Sequence, residues 1–362
     1  MYIWIGNIVL LLLYSIVLNN KIILIKDEKT AVFLKVKKTS LLLVLMFLQL
    51  LFLYVFNKHA IFPDINSYLQ GFDYSLTVGW HDVAKIQHFS HEIKFELGWC
   101  YYTKILSFLY NDGAILLFST GFIIILSYFI VIKKYSLIPW LSIFLFITTV
   151  FYNSQFVLRQ NLAVAICLFS IPYIIERKLW RFLLLIFIAF SIHQTAVIFV
   201  LLYLLYPLKI DKKFFFLVIS IGILFYVGFQ FALDFASTYL SGYGVYRQAA
   251  ITPSNATALL VSICVFVFIT LCYYPFTQMN NYGKLFFQML VLFVMIDLSR
   301  IGLSGSIGRL NLYFYLAVIL LLPNAIKQIK KPIFKYISII SISVLYFILM
   351  LRQMNYGFEM IF

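Results

Sequence analysis

Two polar side chains near the middle of the chain have the chemistry to bind an anion and to accept a proton. Arg159 stands at the edge of an apolar run, and His193 stands between two apolar runs one hairpin later. An arginine at membrane depth costs several kcal/mol unless it faces water, protein or an anion, so its presence indicates a functional site. Two alternatives remain open: Arg159 as a snorkelling residue that marks a helix end, and His193 as a core histidine bonded to a backbone carbonyl.

The arginines are distributed differently from the lysines. When the chain is threaded by the positive-inside rule, 17 of the 21 lysines fall on predicted cytoplasmic turns. Five of the seven arginines fall on the predicted outer side: Arg159, Arg247, Arg300, Arg309 and Arg352. Because arginine offers a planar fork of donors that matches phosphate, an outer group of arginines at helix ends is what a phosphate-bearing ligand needs. Unrelated rim residues are the alternative interpretation.

Composition places the chain among integral membrane proteins. The sequence is 64% hydrophobic and 11% charged, with many apolar runs near the roughly 20 residues that cross a bilayer. We therefore predict an all-α polytopic membrane protein whose residues 1–362 form a single membrane domain. We attribute the net charge of +15 to basic residues that orient the chain in the membrane and contact anionic lipid. Nucleic acid is therefore not an expected partner. The four cysteines have no CxxC spacing and predict neither a disulfide nor a metal site.

The lysine-rich turns set a topology of twelve crossings, with both chain ends outside. Residues 20–39 form a cytoplasmic loop, and two loops, 58–112 and 234–255, lie on the outer face. The predicted crossings are 2–19, 40–57, 113–132, 137–155, 157–176, two short crossings within 179–207 that meet near His193, 214–233, 256–274, 284–299, 307–323 and 333–351.

Residues 95–110 are apolar enough to enter the membrane, yet they contain Glu96 and Lys104. If this segment crossed, Lys133 and Lys134 would be stranded outside. We therefore predict an amphipathic or re-entrant helix on the outer face.

Five short motifs follow one another in a defined order on the predicted outer face. They are Asp64-x-x-x-Tyr68, Glu96-x-Gly98-Trp99, Arg159-Gln160-x-x-Ala163, Ala189-x-x-x-His193 and Arg309-x-x-x-Tyr313-Phe314. Their order and spacing, over about residues 55–325, resemble the EpsG family of bacterial polysaccharide polymerases, which is related to the Wzy-type polymerases of O-antigen and capsule synthesis.

The resemblance implies a GT-C-like glycosyltransferase of the bacterial cytoplasmic (inner) membrane. Such an enzyme joins oligosaccharide repeat units carried by undecaprenyl pyrophosphate at the outer face. The implied partners are this lipid-linked oligosaccharide, the lipid bilayer, a chain-length regulator and a flippase. No cofactor is expected.

The reaction assigns roles to the polar residues. Negative charge gathers on the leaving pyrophosphate, and fixed arginine forks would stabilise it; Arg159 and Arg309 are the first candidates, followed by Arg300 and Arg247. The attacking sugar hydroxyl needs a proton acceptor, for which the candidates are Glu96, Asp64 and His193. For Glu96, a helix-start carboxylate favoured by the helix dipole is the alternative.

Two other functional classes fit parts of the same pattern. A lipid-oligosaccharide flippase or transporter would have similar crossings, but it usually shows internal repeats and places its functional charges near the bilayer midplane. No clear repeat relates the halves of this chain. A glycan ligase of the outer face would share the arginines, and only product length separates it from a polymerase.

Overall fold

The computed structural model describes residues 2–19, 28–56, 63–89, 94–239, 256–273, 281–299 and 308–359, and the secondary structure in these ranges is helical throughout. Numbered in chain order, the α-helices are α1 Tyr2–Asn19, α2 Glu28–Phe56, α3 Pro63–Thr77, α4 Leu97–Leu109, α5 Ala114–Tyr135, α6 Pro139–Phe146, α7 Tyr152–Ser154, α8 Leu158–Phe169, α9 Ile171–Ile175, α10 Leu179–Ile192, α11 Val200–Leu205, α12 Lys212–Tyr239, α13 Ala256–Tyr273, α14 Asn281–Ser299, α15 Tyr315–Gln328 and α16 Pro332–Glu359. Three 3₁₀ helices, Trp80–His88, Gln194–Phe199 and Arg309–Tyr313, and one π-helical turn, Ile147–Phe151, complete the described structure.

The helices have the length and surface of a multi-pass membrane protein. Three of those described are long and apolar enough to cross a bilayer: Ala114–Tyr135, Asn281–Ser299 and Pro332–Arg352. Seven shorter apolar helices are also present among the described residues, and large side chains such as Trp180 (82% exposed) and Leu271 (76% exposed) lie on the surface. Apolar surface of this extent fits contact with lipid rather than water. The all-α membrane class is thus confirmed, while the count of twelve crossings stays a prediction.

Three predicted loops contain helix in the structure. Within 58–112 lie α3 and the 3₁₀ helix Trp80–His88, and α12 extends to Tyr239, inside the predicted loop 234–255. The lysine-rich stretch assigned to a cytoplasmic loop is helical from Glu28 onward, and it continues into the predicted crossing 40–57 as α2. Lysine, glutamate and alanine are good helix formers. A charged stretch of these residues can therefore form one continuous helix with the apolar run that follows it. Residues 28–39 are therefore helix rather than loop, and their cytoplasmic placement stays a prediction.

The chain breaks at His193, as the sequence predicted. The backbone N–H of His193 donates to the carbonyl of Ala189 (2.9 Å), closing the last turn of α10. The carbonyl of His193 then accepts from the N–H of Ala196 (3.0 Å), which opens the 3₁₀ helix before α11. His193 is therefore held by the end of one helix and the start of the next.

The described chain divides into two compact units. Unit 1 comprises Met1–Ser170, Leu183–Ala196 and Lys331–Phe362, and unit 2 comprises Ile171–Phe182 and Val197–Lys330. In unit 1, α5 packs between α2 and α8. In unit 2, α14 packs against α12, α13 and α15. The assignment of residues 1–362 to a single membrane domain stays a prediction.

The two charges that made residues 95–110 ambiguous are both satisfied inside unit 1. Lys104 is buried, and its ammonium donates to the carbonyl of Ser75 (2.8 Å), near the end of α3. A cation at a helix carboxyl end is favourable because it meets unpaired carbonyls. Helix α4 has 13 residues, about 20 Å in length, which is short of the roughly 30 Å hydrocarbon core. Its placement on the outer face stays a prediction.

Candidate functional site

Glu96, Arg159 and His193 meet in unit 1 and form a continuous polar cluster. One carboxylate oxygen of Glu96, Oε2, accepts a hydrogen bond and ion pair from Arg159 Nη1. The other oxygen, Oε1, lies 2.9 Å from His193 Nδ1. These side chains come from the residue before α4, the second residue of α8 and the residue after α10. Residues far apart in the sequence thus share one carboxylate.

The cluster is largely but not fully buried. The exposed fractions of the side chains are 14% for Glu96, 16% for Arg159 and 23% for His193. An ion pair this buried is screened less by solvent than a surface pair. The remaining exposure leaves the cluster reachable from outside the protein.

Aromatic rings cover the arginine. The guanidinium carbon of Arg159 lies 4.9 Å from the ring centroid of Phe95 and 5.7 Å from that of Tyr68. These two rings stack on each other, with centroids 5.9 Å apart, and the buried ring of Trp99 contacts both. Arginine stacks favourably on aromatic faces, so the rings fix the plane of the guanidinium.

Arg159 retains donor capacity that the described protein does not use. Its Nη1 donates to Glu96 and to the backbone carbonyl of Lys94 (3.1 Å). Its Nε–H is buried and has no hydrogen-bond partner among the described residues. A buried donor without an acceptor is costly, so an anionic oxygen placed at this edge of the fork would be stabilised. A snorkelling arginine would instead extend its head group into water.

Glu96 occupies the N-cap position of α4 but makes no capping hydrogen bond through its side chain. Burial by itself raises the pKa of Glu96, but the hydrogen bond with His193 and the charge of Arg159 outweigh it and hold that pKa below its ordinary value. Glu96 is therefore ionised, and a carboxylate of lowered pKa is a weak proton acceptor. The choice of proton acceptor among Glu96, Asp64 and His193 stays a prediction.

The hydrogen bond to Glu96 determines which nitrogen of His193 is available. An ionised carboxylate can only accept, so the hydrogen shared with Glu96 belongs to Nδ1 of His193. In the neutral imidazole the other nitrogen, Nε2, then carries the lone pair. A carboxylate that orients an imidazole in this way is a recurring arrangement in general-base catalysis.

Gly98 allows the two halves of the cluster to approach. A Cβ added at Gly98 would lie 2.6 Å from both the backbone carbon and the backbone oxygen of Ser191. Contacts that short do not occur between real atoms, so any side chain at this position would separate α4 from the end of α10. Glu96 lies two residues before Gly98, and His193 lies two residues after Ser191. The close packing therefore sets the distance between carboxylate and imidazole.

The other predicted site residues lie elsewhere or outside the described ranges. Asp64 lies in the first turn of α3 and is partly exposed. Arg309 begins a 3₁₀ helix in unit 2, and its side chain is exposed. Arg247 and Arg300 fall outside the residues that the structure describes. The structure thus brings together Glu96, Arg159 and His193, and the roles of all seven residues stay predictions.

The sequence prediction missed part of the surroundings of the arginine. Phe95 and the carbonyl of Lys94 both contact Arg159, and neither was a candidate. Tyr68 lies one helical turn after Asp64. It was noted only as a motif residue and was given no role beside the arginine. A signal was present, because an aromatic residue directly before a glutamate is suited to cover a cation bound to that glutamate.

Unit 2 contains an apolar groove of about 90 Å³ between α12 and α14. Its lining includes Val218, Gly222, Leu292 and Phe314 and exposes almost no polar surface. The groove therefore offers no group for proton transfer or phosphate binding.

Comparison with known proteins adds one match. A family model described as the EpsG family matches residues 40–361, which is nearly the whole chain and contains the cluster. Comparison with curated proteins and with solved structures finds no match.

Proposed function

Because the chain belongs to the EpsG family, which is a Wzy-type polymerase family, we propose that it is a polysaccharide repeat-unit polymerase. In this proposal it is a glycosyltransferase of the outer face of the bacterial cytoplasmic membrane. Its substrates are oligosaccharide repeat units carried by undecaprenyl pyrophosphate, and its product is a longer lipid-linked glycan. The pathway is capsule, exopolysaccharide or O-antigen synthesis.

The observation that carries the proposal is the single carboxylate shared by a histidine and an arginine. Transfer of a glycan from pyrophosphate requires a proton acceptor for the attacking hydroxyl and a cation for the departing phosphate. The Glu96 carboxylate orients both groups, the imidazole through Oε1 and the guanidinium through Oε2. A flippase moves its lipid without bond exchange, so it needs no proton acceptor for an attacking hydroxyl.

The reaction can be written on these groups. The sugar hydroxyl of the acceptor attacks the anomeric carbon of the donor, and its proton passes to Nε2 of His193. The bond from the anomeric carbon to the pyrophosphate oxygen breaks, and the electron pair leaves with the lipid pyrophosphate. Ionised Glu96 stabilises the imidazolium that forms, as a buried carboxylate does in the serine-hydrolase triad. The proton is later released to solvent.

Arg159 supplies electrostatic stabilisation in this scheme. Its guanidinium is fixed by Glu96, by the Lys94 carbonyl and by two aromatic faces, so little reorganisation is needed when charge develops on the leaving group. Its unpaired Nε–H is suited to a phosphate oxygen. Arg309, Arg300 and Arg247 are proposed to contact the same pyrophosphate, and Asp64 is proposed to assist the acceptor sugar.

Deletion of the gene followed by glycan analysis tests the proposal. We expect lipid-linked single repeat units to accumulate and the ladder of long chains to disappear, and we expect the wild-type gene to restore the ladder. Unchanged chain lengths would refute a polymerase. Retention of the lipid-linked ladder with loss of one terminal transfer would indicate a ligase, and absence of repeat units from the outer face would indicate a flippase.

A further inference from the structure

Unit 2 contains a buried carboxylate that the reaction scheme above does not use. Asp297 lies in α14 between apolar residues and is only 3% exposed. An acidic side chain inside a predicted membrane segment is costly unless partners satisfy it, so it marks a position with a specific role. The role can be derived from the residues that bind its two oxygens.

The two carboxylate oxygens of Asp297 connect different elements. Oδ2 accepts from the hydroxyl of Ser262 in α13. Oδ1 accepts from the side-chain amide of Asn311, at 2.5 Å. Both partners are buried, with Ser262 5% and Asn311 1% exposed. Hydrogen bonds to a charged acceptor at such depth are stronger than those between neutral groups.

Asn311 belongs to the 3₁₀ helix Arg309–Tyr313. Most of this short helix is buried, since Asn311, Leu312 and Tyr313 together occupy a full turn and are all buried. Arg309, the first residue of this helix, is exposed. A 3₁₀ helix has weaker internal hydrogen bonds than an α-helix, so its position depends on outside contacts. The bond from Asn311 to Asp297 is such a contact, two residues from Arg309.

We infer that Asp297 is a positioning residue for Arg309. Its carboxylate holds Asn311 and thereby fixes the 3₁₀ helix that presents the guanidinium to the pyrophosphate of the lipid-linked donor. This role rests on the proposed function in so far as Arg309 binds that pyrophosphate. The linkage itself is built entirely from residues of unit 2.

An exchange of the two side chains tests this inference. Asp297→Asn places two amides opposite each other, and Asn311→Asp places two carboxylates opposite each other. We expect each single variant to lower polymerisation, per amount of protein in the membrane, by about tenfold or more. The double variant D297N/N311D restores one carboxylate and one amide, and we expect most of the activity to return. Ser299→Ala is the control for α14, because that hydroxyl donates only to a carbonyl of its own helix, that of Met295 (2.9 Å).

A binding measurement separates this inference from the proposed function. Undecaprenyl pyrophosphate is added to the detergent-purified protein, and the increase in unfolding temperature is measured. We expect a smaller increase for Asp297→Asn and for Arg309→Lys than for the wild type, and recovery in the exchanged variant. Ser262→Ala removes only one donor to Asp297 and serves where Asp297→Asn does not accumulate; its increase should also be smaller.

Three outcomes would overturn the positioning role: a normal increase in unfolding temperature for Asp297→Asn, a normal increase for Ser262→Ala, or no recovery in the exchanged variant at a normal protein level. The last result would mean that the carboxylate must stand at position 297 itself. If deletion of the gene leaves glycan length unchanged, the polymerase proposal fails. The binding measurement still decides whether Asp297 positions Arg309.

Discussion

Replacement of Arg159 by lysine separates the shape of the arginine from its charge. Nη1 of the guanidinium donates to two acceptors, Glu96 and the Lys94 carbonyl, the side chain also hydrogen-bonds Tyr68, and its face lies on Phe95. A lysine ammonium keeps the positive charge but has no planar fork, so it cannot reproduce these contacts and also reach a phosphate oxygen.

The size of the effect follows from the contacts that are lost. A hydrogen bond to a charged group contributes about 1.5–3 kcal/mol at a partly buried site. If one such bond to the leaving pyrophosphate is lost only in the transition state, polymerisation falls by about 10- to 200-fold, because each 1.4 kcal/mol is a tenfold factor. The amount of protein in the membrane should change little, since the lysine can still pair with Glu96.

The assay is the glycan ladder made by cells in which Arg159→Lys is the sole copy, normalised to the protein in the membrane. Arg181→Lys is a matched control, since Arg181 also lies over an aromatic ring, that of Tyr173 (5.9 Å), but is exposed on a predicted cytoplasmic turn. We expect the control to give a normal ladder. A normal ladder from Arg159→Lys, or a loss explained by missing protein, would refute the assignment of Arg159 to the pyrophosphate.

Three further predictions follow from the cluster and from the topology. Gly98→Ala should lower the unfolding temperature and shorten the glycan, because overpacking against the backbone of Ser191 costs about 1–3 kcal/mol. Gly79→Ala is the control and should change neither property, because a Cβ at Gly79 meets no atom within 4 Å. Equal effects of the two substitutions would contradict the packing argument. Because the folded-state pKa of Glu96 lies below its ordinary value of 4.5, its contribution to stability is complete above pH 4.5 and is lost as the pH falls through the lowered pKa. Thermal unfolding across this range should show a weaker acid dependence for Glu96→Gln than for the wild type, and identical curves would exclude this contribution. A reporter fused after Asn111 should be active only outside the cytoplasm, and cytoplasmic activity would make residues 95–110 a true crossing.

Much of the fold is encoded in features that the sequence displays locally. Apolar runs predicted α1, α5, α13 and α14 within a few residues, because a membrane helix is defined by its own composition. The break at His193 was predictable from length, since residues 179–207 are too long for one untilted crossing. The start of α2 was not predictable, because the same lysines that report topology are compatible with helix and with loop.

The site was predictable as a set of residues but not as a set of contacts. Residue type and predicted face identified Glu96, Arg159 and His193. The sharing of one carboxylate depends on how α4, α8 and α10 pack, and sequence spacing does not give this. The contact between Gly98 and Ser191 is equally non-local, although a glycine inside a helix indicates close packing. Asp297 was missed because Ser262 and Asn311, which donate to its carboxylate, lie in other segments of the chain.

The most direct test of the account is polymerisation by the purified protein in vesicles, with undecaprenyl-pyrophosphate-linked repeat units as the sole substrate. The account predicts a ladder of products from the wild type, and a loss of at least tenfold in rate for His193→Gln, which retains a hydrogen-bonding side chain but cannot accept the proton. A wild-type protein that yields no product beyond a single unit, or a His193→Gln variant that extends chains at the normal rate, would contradict it.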